Sequence, residues 1–347
     1  MPQVRQDIIT GRWVIIATER GKRPESFAQV PAQQALAERP PGPPDDCPFC
    51  PGHEGMTPPE LLAYDGPFRE PDTPGWKVRV VPNKYPALTA EGNLEPRPTG
   101  IYQQFDGVGF HEVIIHSPDH WRSLGELDRE QVALFLEACR ERYLERGRDS
   151  RVKYMHLIEN HGRSAGASIE HPHSQLFGLP LVPPVLEDEL AGMRRWSAEH
   201  GGCPVCAMLV EEDRAGERSV CESDHFFAFA PFASRVPFET WVVPREHCAH
   251  FPELPDDALE DLAGLLSHTM GRLHRGLNDP PYNLMLHSAP SDGGLYPEFH
   301  WHIEVWPKLS LPAGFEWGTG IMVNTALPEE SAAFLREASE GPDPLLA

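Results

Sequence analysis

The 347-residue chain carries 30 Lys and Arg against 52 Asp and Glu, a formal net charge of −22 with a pI near 5.1. That length allows a sizeable buried core, and that charge opposes a nucleic-acid or anionic-membrane surface, although a local cationic cluster can still hold a small phosphate compound. The opening MPQVRQDIITGRWVII has no apolar targeting run, and no window approaches the roughly 20 apolar residues of a membrane span, so a soluble cytoplasmic protein is expected.

In chain order, a Pro-rich connector (RPPGPPDD, 39 to 46) leads into Cys47-Pro48-Phe49-Cys50. There follow an alternating stretch VRVVPNKYPAL, then HEVIIHSPDHWRSLGEL, a helical DREQVALFLEACRERY, a strand YMHLIEN and HPHSQLFGLP. After the Pro-rich crossing at 179 to 184 the series repeats. Cys203-Pro204-Val205-Cys206 precedes FFAFAPFASRVPFE, FETWVVPREHCAHFPEL, DDALEDLAGLLSHTMGRL, YNLMLHS and HWHIEVWP. A segment after Leu327 reads as a helix with a loose tail. The repeated order predicts two α+β halves, residues 1–182 and 183–347, sharing a sheet. It aligns Glu112 with Glu239, His120 with His247, and His171 and His173 with His300 and His302.

Paired Cys-x-x-Cys motifs in a reducing compartment point to metal rather than disulfides. A tetrahedral Cys₂His₂ site needs such a knuckle and two imidazoles from other elements. Cys47, Cys50, His120 and His171 supply one set; Cys203, Cys206, His247 and His300 supply the other. Two structural Zn²⁺ ions per chain are expected, since four protein ligands leave no position open to substrate. Cys139, Cys221 and Cys248 are expected to be ordinary unpaired side chains.

His171 and His173 face the same way on a strand, and Pro172 between them suits a sheet edge or a strand start. With His171 anchored by metal, His173 inherits a fixed position beside it, as a catalytic nucleophile requires. Neutral imidazole attacks phosphorus well and divides one displacement into two easier ones. Ser168, Ser174 and Gln175 would bond the transferring phosphoryl oxygens, and the small residues of HGRSAGAS (161 to 168) let backbone N–H groups approach a phosphate.

The His-Pro-His-Ser-Gln motif resembles the histidine-triad superfamily, and the order of motifs resembles its duplicated branch, the galactose-1-phosphate uridylyltransferases. TGRWVIIATERGKRP, ENHGRSAGASIEHPHSQ and GFEWGTGIMVN carry the resemblance from about Asp7 to Glu330. It implies a duplicated histidine-triad-like fold of mostly antiparallel sheet, a homodimer, and ping-pong transfer. His173 would attack the α-phosphorus of a nucleoside diphosphate sugar such as UDP-glucose. The resemblance thus implies uridylyl transfer from UDP-glucose to galactose 1-phosphate, the nucleotidyl group passing to the second sugar 1-phosphate. Arg20 and Arg23 match phosphate-binding arginines, in agreement with the cationic run ERGKR. Asn160, Gly166, Ser168 and Gln175 match positions that hold phosphates and ribose.

Three departures shape the expectation. Ser174 stands where the well-known enzymes have glycine, and so resembles a subgroup that includes plant ADP-glucose phosphorylases. This keeps open an adenylyltransferase or phosphorylase working through the same His173 intermediate. Thr319-Gly320 stands where the well-known enzymes carry Tyr-Glu against the sugar. Glu189, His287, His300 and His302 match that branch's iron-type site, an alternative to the Cys₂His₂ set, which soft thiolates favour for zinc. The rival from another class is a non-enzymatic, zinc-stabilised nucleotide-binding scaffold.

Overall fold

The computed structural model describes residues 1–21, 42–65 and 68–338; Arg23 and the chain end after 338 lie outside these, as does part of the Pro-rich connector. A hairpin, β1 (Gln3–Gln6) and β2 (Trp13–Ile16), comes first, with one turn of helix, α1 (Thr18–Gly21). Then follow β3 (Leu62–Asp65), β4 (Trp76–Pro82), an exposed ribbon of β5 (Arg97–Thr99) and β6 (Tyr102–Gln104), and β7 (Phe110–Ile115). The helix α2 (Arg129–Arg146), β8 (Tyr154–His161) and β9 (His173–Leu179) complete the first series. The second series runs α3 (Pro184–His200), α4 (Pro204–Ala215), β10 (Ser219–Glu222), β11 (Phe226–Phe229), β12 (Thr240–Pro244), α5 (Asp256–Leu277), β13 (Tyr282–His287) and β14 (His302–Pro307). A short α6 (Gly314–Thr319), β15 (Met322–Asn324) and α7 (Pro328–Glu337) close the chain, β15 pairing parallel to β2.

Ten strands form one antiparallel sheet in the order β10-β11-β12-β14-β13-β8-β9-β7-β4-β3. Outward from the β8–β13 seam, where Leu157 faces Leu286, the two halves repeat the same order of strands. The duplicated, antiparallel α+β arrangement expected from the repeat is therefore the architecture found. Each long helix arises where apolar residues recur at helical spacing; α2 starts at Asp128, whose carboxylate accepts from the Gln131 N–H at 2.9 Å. The apolar faces of α2 and α5 cover one side of the sheet, packing Phe135, Leu136, Leu262 and Leu266 with Ile114, Leu157 and Leu176. Strand alternation sends Val113 and Ile115 to the other side, where they meet Cys47, Phe49, Cys50, Trp76 and Val81. Among the described residues no helix is long and apolar enough to cross a membrane.

Register corrects one detail of the repeat. Val113 pairs with Gln175 and Trp241 pairs with Glu304. Since Gln175 and Glu304 each follow their histidine by two positions, Trp241 is the counterpart of Val113, and Thr240, not Glu239, is that of Glu112. The two glutamates accordingly serve different faces. Glu112 is buried on the helix side, bound by Arg142 through Nε and Nη2 at 2.8 Å each and by Arg146 Nε at 2.6 Å. Replacing Arg142 by methionine strands that carboxylate, with only the half-exposed Arg146 left. The expected loss in urea unfolding is about 3 kcal/mol, the low end for breaking a buried pair. Joint replacement of Glu112 and Arg142 by apolar residues should recover most of it.

Candidate active site and metal centres

The knuckle Cys47–Cys50, the turn after β7 that carries His120, and the residue two before β9, His171, converge on one point. Their four ligand atoms lie within 4.8 Å of one another. Cys50 Sγ is 3.2 Å from His120 Nδ1 and 3.5 Å from His171 Nδ1, and Cys47 Sγ is 3.7 Å from His171 Nδ1. A tetrahedron of Zn–S and Zn–N bonds of about 2.0–2.3 Å has edges of about 3.3–3.8 Å, so the donor set fits zinc. The His171 Nε2–H donates to the Ser117 carbonyl at 2.9 Å, which leaves the Nδ1 lone pair facing the thiols. Burial pushes the His171 imidazole down to about 4, so it is neutral and ready to ligate.

One step further, β9 begins. Pro172 sits just before the strand, where its missing N–H costs no ladder bond, while β9 itself is central, between β7 and β8. His173 Nδ1–H donates to the His171 carbonyl at 2.8 Å, which puts the lone pair on Nε2. The bond through Nδ1 is the one hydrogen bond of this ring among the described residues. Burial lowers the His173 pKa, outweighing the bond to the carbonyl, which favours the neutral ring. The Phe49 ring meets it edge-on at 5.0 Å.

The pairing of Glu159 with Ser174 sets Asn160 beside His173 on the same face. Asn283 on β13 donates through Nδ2 to Asn160 Oδ1 at 2.7 Å and to the Ala165 carbonyl at 2.8 Å, tying the strand to the following turn. Gly166 closes that turn at φ +97°, a left-handed conformation that favours glycine. Ser168 is exposed just beyond it, and Arg20 is exposed at the end of α1, close enough to Glu316 to stabilise its charge. Ser174 differs from expectation: alternation turns it to the helix face, where it is fully buried and bonded to His116 Nε2 at 2.8 Å. Gln175 returns to the His173 face, its Oε1 2.8 Å from His111 Nε2.

In the second half, Cys203, Cys206, His247 and His300 gather in the same way. Cys206 Sγ lies 3.6 Å from His247 Nδ1 and 3.5 Å from His300 Nδ1, and Cys203 Sγ lies 3.7 Å from the latter. His300 Nε2–H donates to the Pro244 carbonyl at 2.9 Å, as His171 does to Ser117. Within the pair, bonds from Cys203 and His300 pull the Cys206 thiol down to about 4 while Cys203 is pushed up, one thiolate shared between two sulfurs. These distances also match zinc tetrahedral edges.

The carboxylate-histidine set is not an alternative to this second Cys₂His₂ group but a separate cluster. Glu189, His287, His302 and Glu304 place one ligand atom each within 4.8 Å of the others, and His300 stays with the cysteines. His287 Nδ1 is 3.0 Å from Glu189 Oε1, and His302 Nε2, buried without a hydrogen-bond partner, is 3.6 Å from Glu304 Oε1. Arg235 reaches both Glu239 Oε1 and Glu304 Oε1 at 2.6 Å. His302 has none of the access of His173: it is 0 % exposed, and Trp241, at the position of Val113, stacks on its ring at 4.4 Å. The second half thus repeats the frame around His173 and encloses the equivalent ring more fully.

Sequence reasoning passed over Phe49, His111 and Asn283. The alternation of HEVII was a usable signal for His111, because it puts residues 111, 113 and 115 on one face, whereas Asn283 acts across a seam between halves that no local pattern reveals.

A family model described as "Galactose-1-phosphate uridyl transferase, N-terminal domain" matches residues 1–183, and one described as a domain of unknown function, DUF4921, matches 116–337. An ADP-glucose phosphorylase of Arabidopsis thaliana is 39% identical over 346 residues, covering 97% of this chain and 93% of its own length. A galactose-1-phosphate uridylyltransferase of Thermotoga maritima is 29% identical, covering 97% and 98%. A crystal structure of an ADP-glucose phosphorylase from Arabidopsis thaliana with bound ADP-glucose superposes with a TM-score of 0.81 at 36% identity, over 98% of this chain and 100% of that one. With its tandem sheet, its His-Pro-His histidine beside a Cys₂His₂ group and these full-length relatives, the chain belongs to the galactose-1-phosphate uridylyltransferase family of nucleotidyltransferases.

Proposed function

We propose that the protein transfers a nucleotidyl group from a nucleoside diphosphate sugar through a covalent nucleotidyl-His173 intermediate, with an ADP-sugar as donor. The observation that carries the reading is the orientation of His173. Its Nδ1–H is fixed on a backbone carbonyl, and its Nε2 shares a face with Asn160 and Gln175. In the first half-reaction Nε2 attacks the α-phosphorus; the P–N bond forms as the bond to the leaving phosphate oxygen breaks, releasing the sugar 1-phosphate. In the second, an oxygen of a phosphate acceptor, inorganic phosphate or a sugar 1-phosphate, attacks the same phosphorus and frees His173. Gln175, Asn160, Ser168, the Gly166 turn, Arg20 and Arg23 serve the phosphates and ribose. Ser174 serves indirectly, by locking the back of β9 to His116.

The preference for an adenine nucleotide rests on the greater identity to an ADP-glucose phosphorylase than to the uridylyltransferase of Thermotoga maritima. The position of the sugar-gripping Tyr-Glu pair bears on the sugar rather than on the base. Here Thr319 donates its hydroxyl to the Phe315 carbonyl of its own helix, and Gly320 caps that helix at φ +71°. The second reading, uridylyl transfer from UDP-glucose to galactose 1-phosphate, is favoured by the near-complete coverage of the Thermotoga maritima relative. Zinc in the two Cys₂His₂ groups, a homodimer and a cytoplasmic setting belong to the same proposal.

The test is label transfer. Incubated separately with α-³²P-labelled ADP-glucose and UDP-glucose, the protein should retain acid-labile label from ADP-glucose. Retention from UDP-glucose alone sinks the adenylyl assignment, and retention from neither sinks the covalent mechanism.

A further inference from the structure

We infer that His111 is a positioning residue for the transfer step: it fixes which end of the Gln175 side-chain amide faces the substrate. The inference rests on the proposed His173 chemistry and adds a group to it. His111 lies on β7 opposite Phe177, two pairs along from Gln175, and its ring stacks on Phe177 with centroids 3.9 Å apart. On one side the backbone N–H of Ala87 donates to His111 Nδ1 at 3.2 Å. A backbone amide can only donate, so Nδ1 carries a lone pair and the neutral ring must hold its proton on Nε2.

That proton decides the rest. Nε2 lies 2.8 Å from Gln175 Oε1 and 3.1 Å from Asn83 Nδ2. Asn83, whose Oδ1 takes the Tyr85 N–H at 2.8 Å, presents only a donor, so the single Nε2–H cannot satisfy both neighbours, and the shorter contact, to the acceptor Gln175 Oε1, is the one it serves. Gln175 is therefore the acceptor, and its oxygen is held at His111. A flipped Gln175 would set N–H against N–H. The Gln175 –NH₂ is left to point along the face shared with His173, where the charge of a phosphoryl group in transfer gathers on oxygen. Free glutamine presents oxygen or nitrogen with little preference, and oxygen there would repel the substrate. His111 thus converts an ambivalent amide into a fixed donor without touching substrate itself. Burial lowers the His111 pKa more than the bond to Gln175 raises it, which keeps the ring in the neutral form this arrangement needs.

The test is a double-mutant cycle read in the first half-reaction, the single-turnover labelling of His173 by the α-labelled donor that the wild type accepts. His111→Phe keeps a ring against Phe177 and removes both nitrogens. It should slow labelling by about 30- to 100-fold, the scale on which one fixed donor acts, and leave donor Kd within a few-fold. Gln175→Ala should slow labelling comparably, and adding His111→Phe to it should cost less than a further 3-fold, because the two changes remove one device. His111→Gln, whose Nε2 stands where the imidazole Nε2 stood and can still donate to Gln175 Oε1, should recover part of the loss and carries the test if His111→Phe does not fold. Losses that multiply in the double variant, or full labelling in either His111 variant, overturn the inference. A wild type that labels with no donor overturns the parent proposal instead, so the two failures are distinct.

Discussion

The His173→Gly variant is expected to retain no label from any nucleotide donor and to lose turnover by on the order of 10⁴-fold or more, the scale of removing a nucleophile. Its zinc content should stay at that of the wild type. Both halves of this expectation come from one feature of the chain. His171 and His173 are two residues apart, yet they hang on different partners: His171 uses Nδ1 toward Cys47 and Cys50 and Nε2 on Ser117, while His173 leans only on the carbonyl of His171. Removing the second ring takes away a leaf of the network and none of the ligands. Turnover, labelling and metal analysis on the same preparation check it. Loss of one zinc with the glycine would mean that ligand and nucleophile had been exchanged, and a variant with full turnover would leave the scaffold reading standing.

The place of His171 beside the Cys47–Cys50 knuckle is legible in the sequence because the repeat matches His171 to His300. The strand period puts His173 on the same side as His171. Both Cys₂His₂ groups could be read for the same reason: a knuckle and two histidines recur in the same order, and tetrahedral chemistry leaves few other uses for them. The errors came from assigning faces one residue at a time. Ser174 was placed with the phosphate-binding groups by its neighbours, but a residue between two that face the substrate must face away. Glu112 and Glu239 were matched by identity, although the register offsets them by one position and so sets them on opposite sides of the sheet. The sequence suggests Glu189, His287, His300 and His302 as one set, whereas Glu304 takes the place of His300 in the structure, because spacing along the chain does not tell which of two neighbouring histidines turns toward which partner. Two side chains at adjacent same-face positions can serve two centres at once, and here they do.

The two Cys₂His₂ groups are expected to differ in what their loss does. In Cys50→Ser, on the proposal that zinc fills the first group, one zinc is lost and labelling of His173 falls with it, because Cys50 and the metal would hold His171, and the His171 carbonyl holds His173 Nδ1. In Cys206→Ser, one zinc is also lost, but labelling of the protein that remains folded stays within a few-fold of wild type. The second group ends at His302, which Trp241 and Glu304 already enclose away from substrate. Stability should follow burial in the same sense. Cys47, Cys50, His120 and His171 are all buried and pin a loop to the central strands, whereas Cys203 and Cys206 are half-buried and His247 is exposed. Metal binding of this kind is folding free energy, so Cys50→Ser should lower Tm by on the order of 10 °C or more, and Cys206→Ser by less. Zinc by elemental analysis, Tm by calorimetry and single-turnover labelling on each variant separate the two centres. Equal loss of labelling from both would show that the second centre reaches the nucleophile through the β8–β13 seam, and the view of it as a closed copy of the first would have to be abandoned.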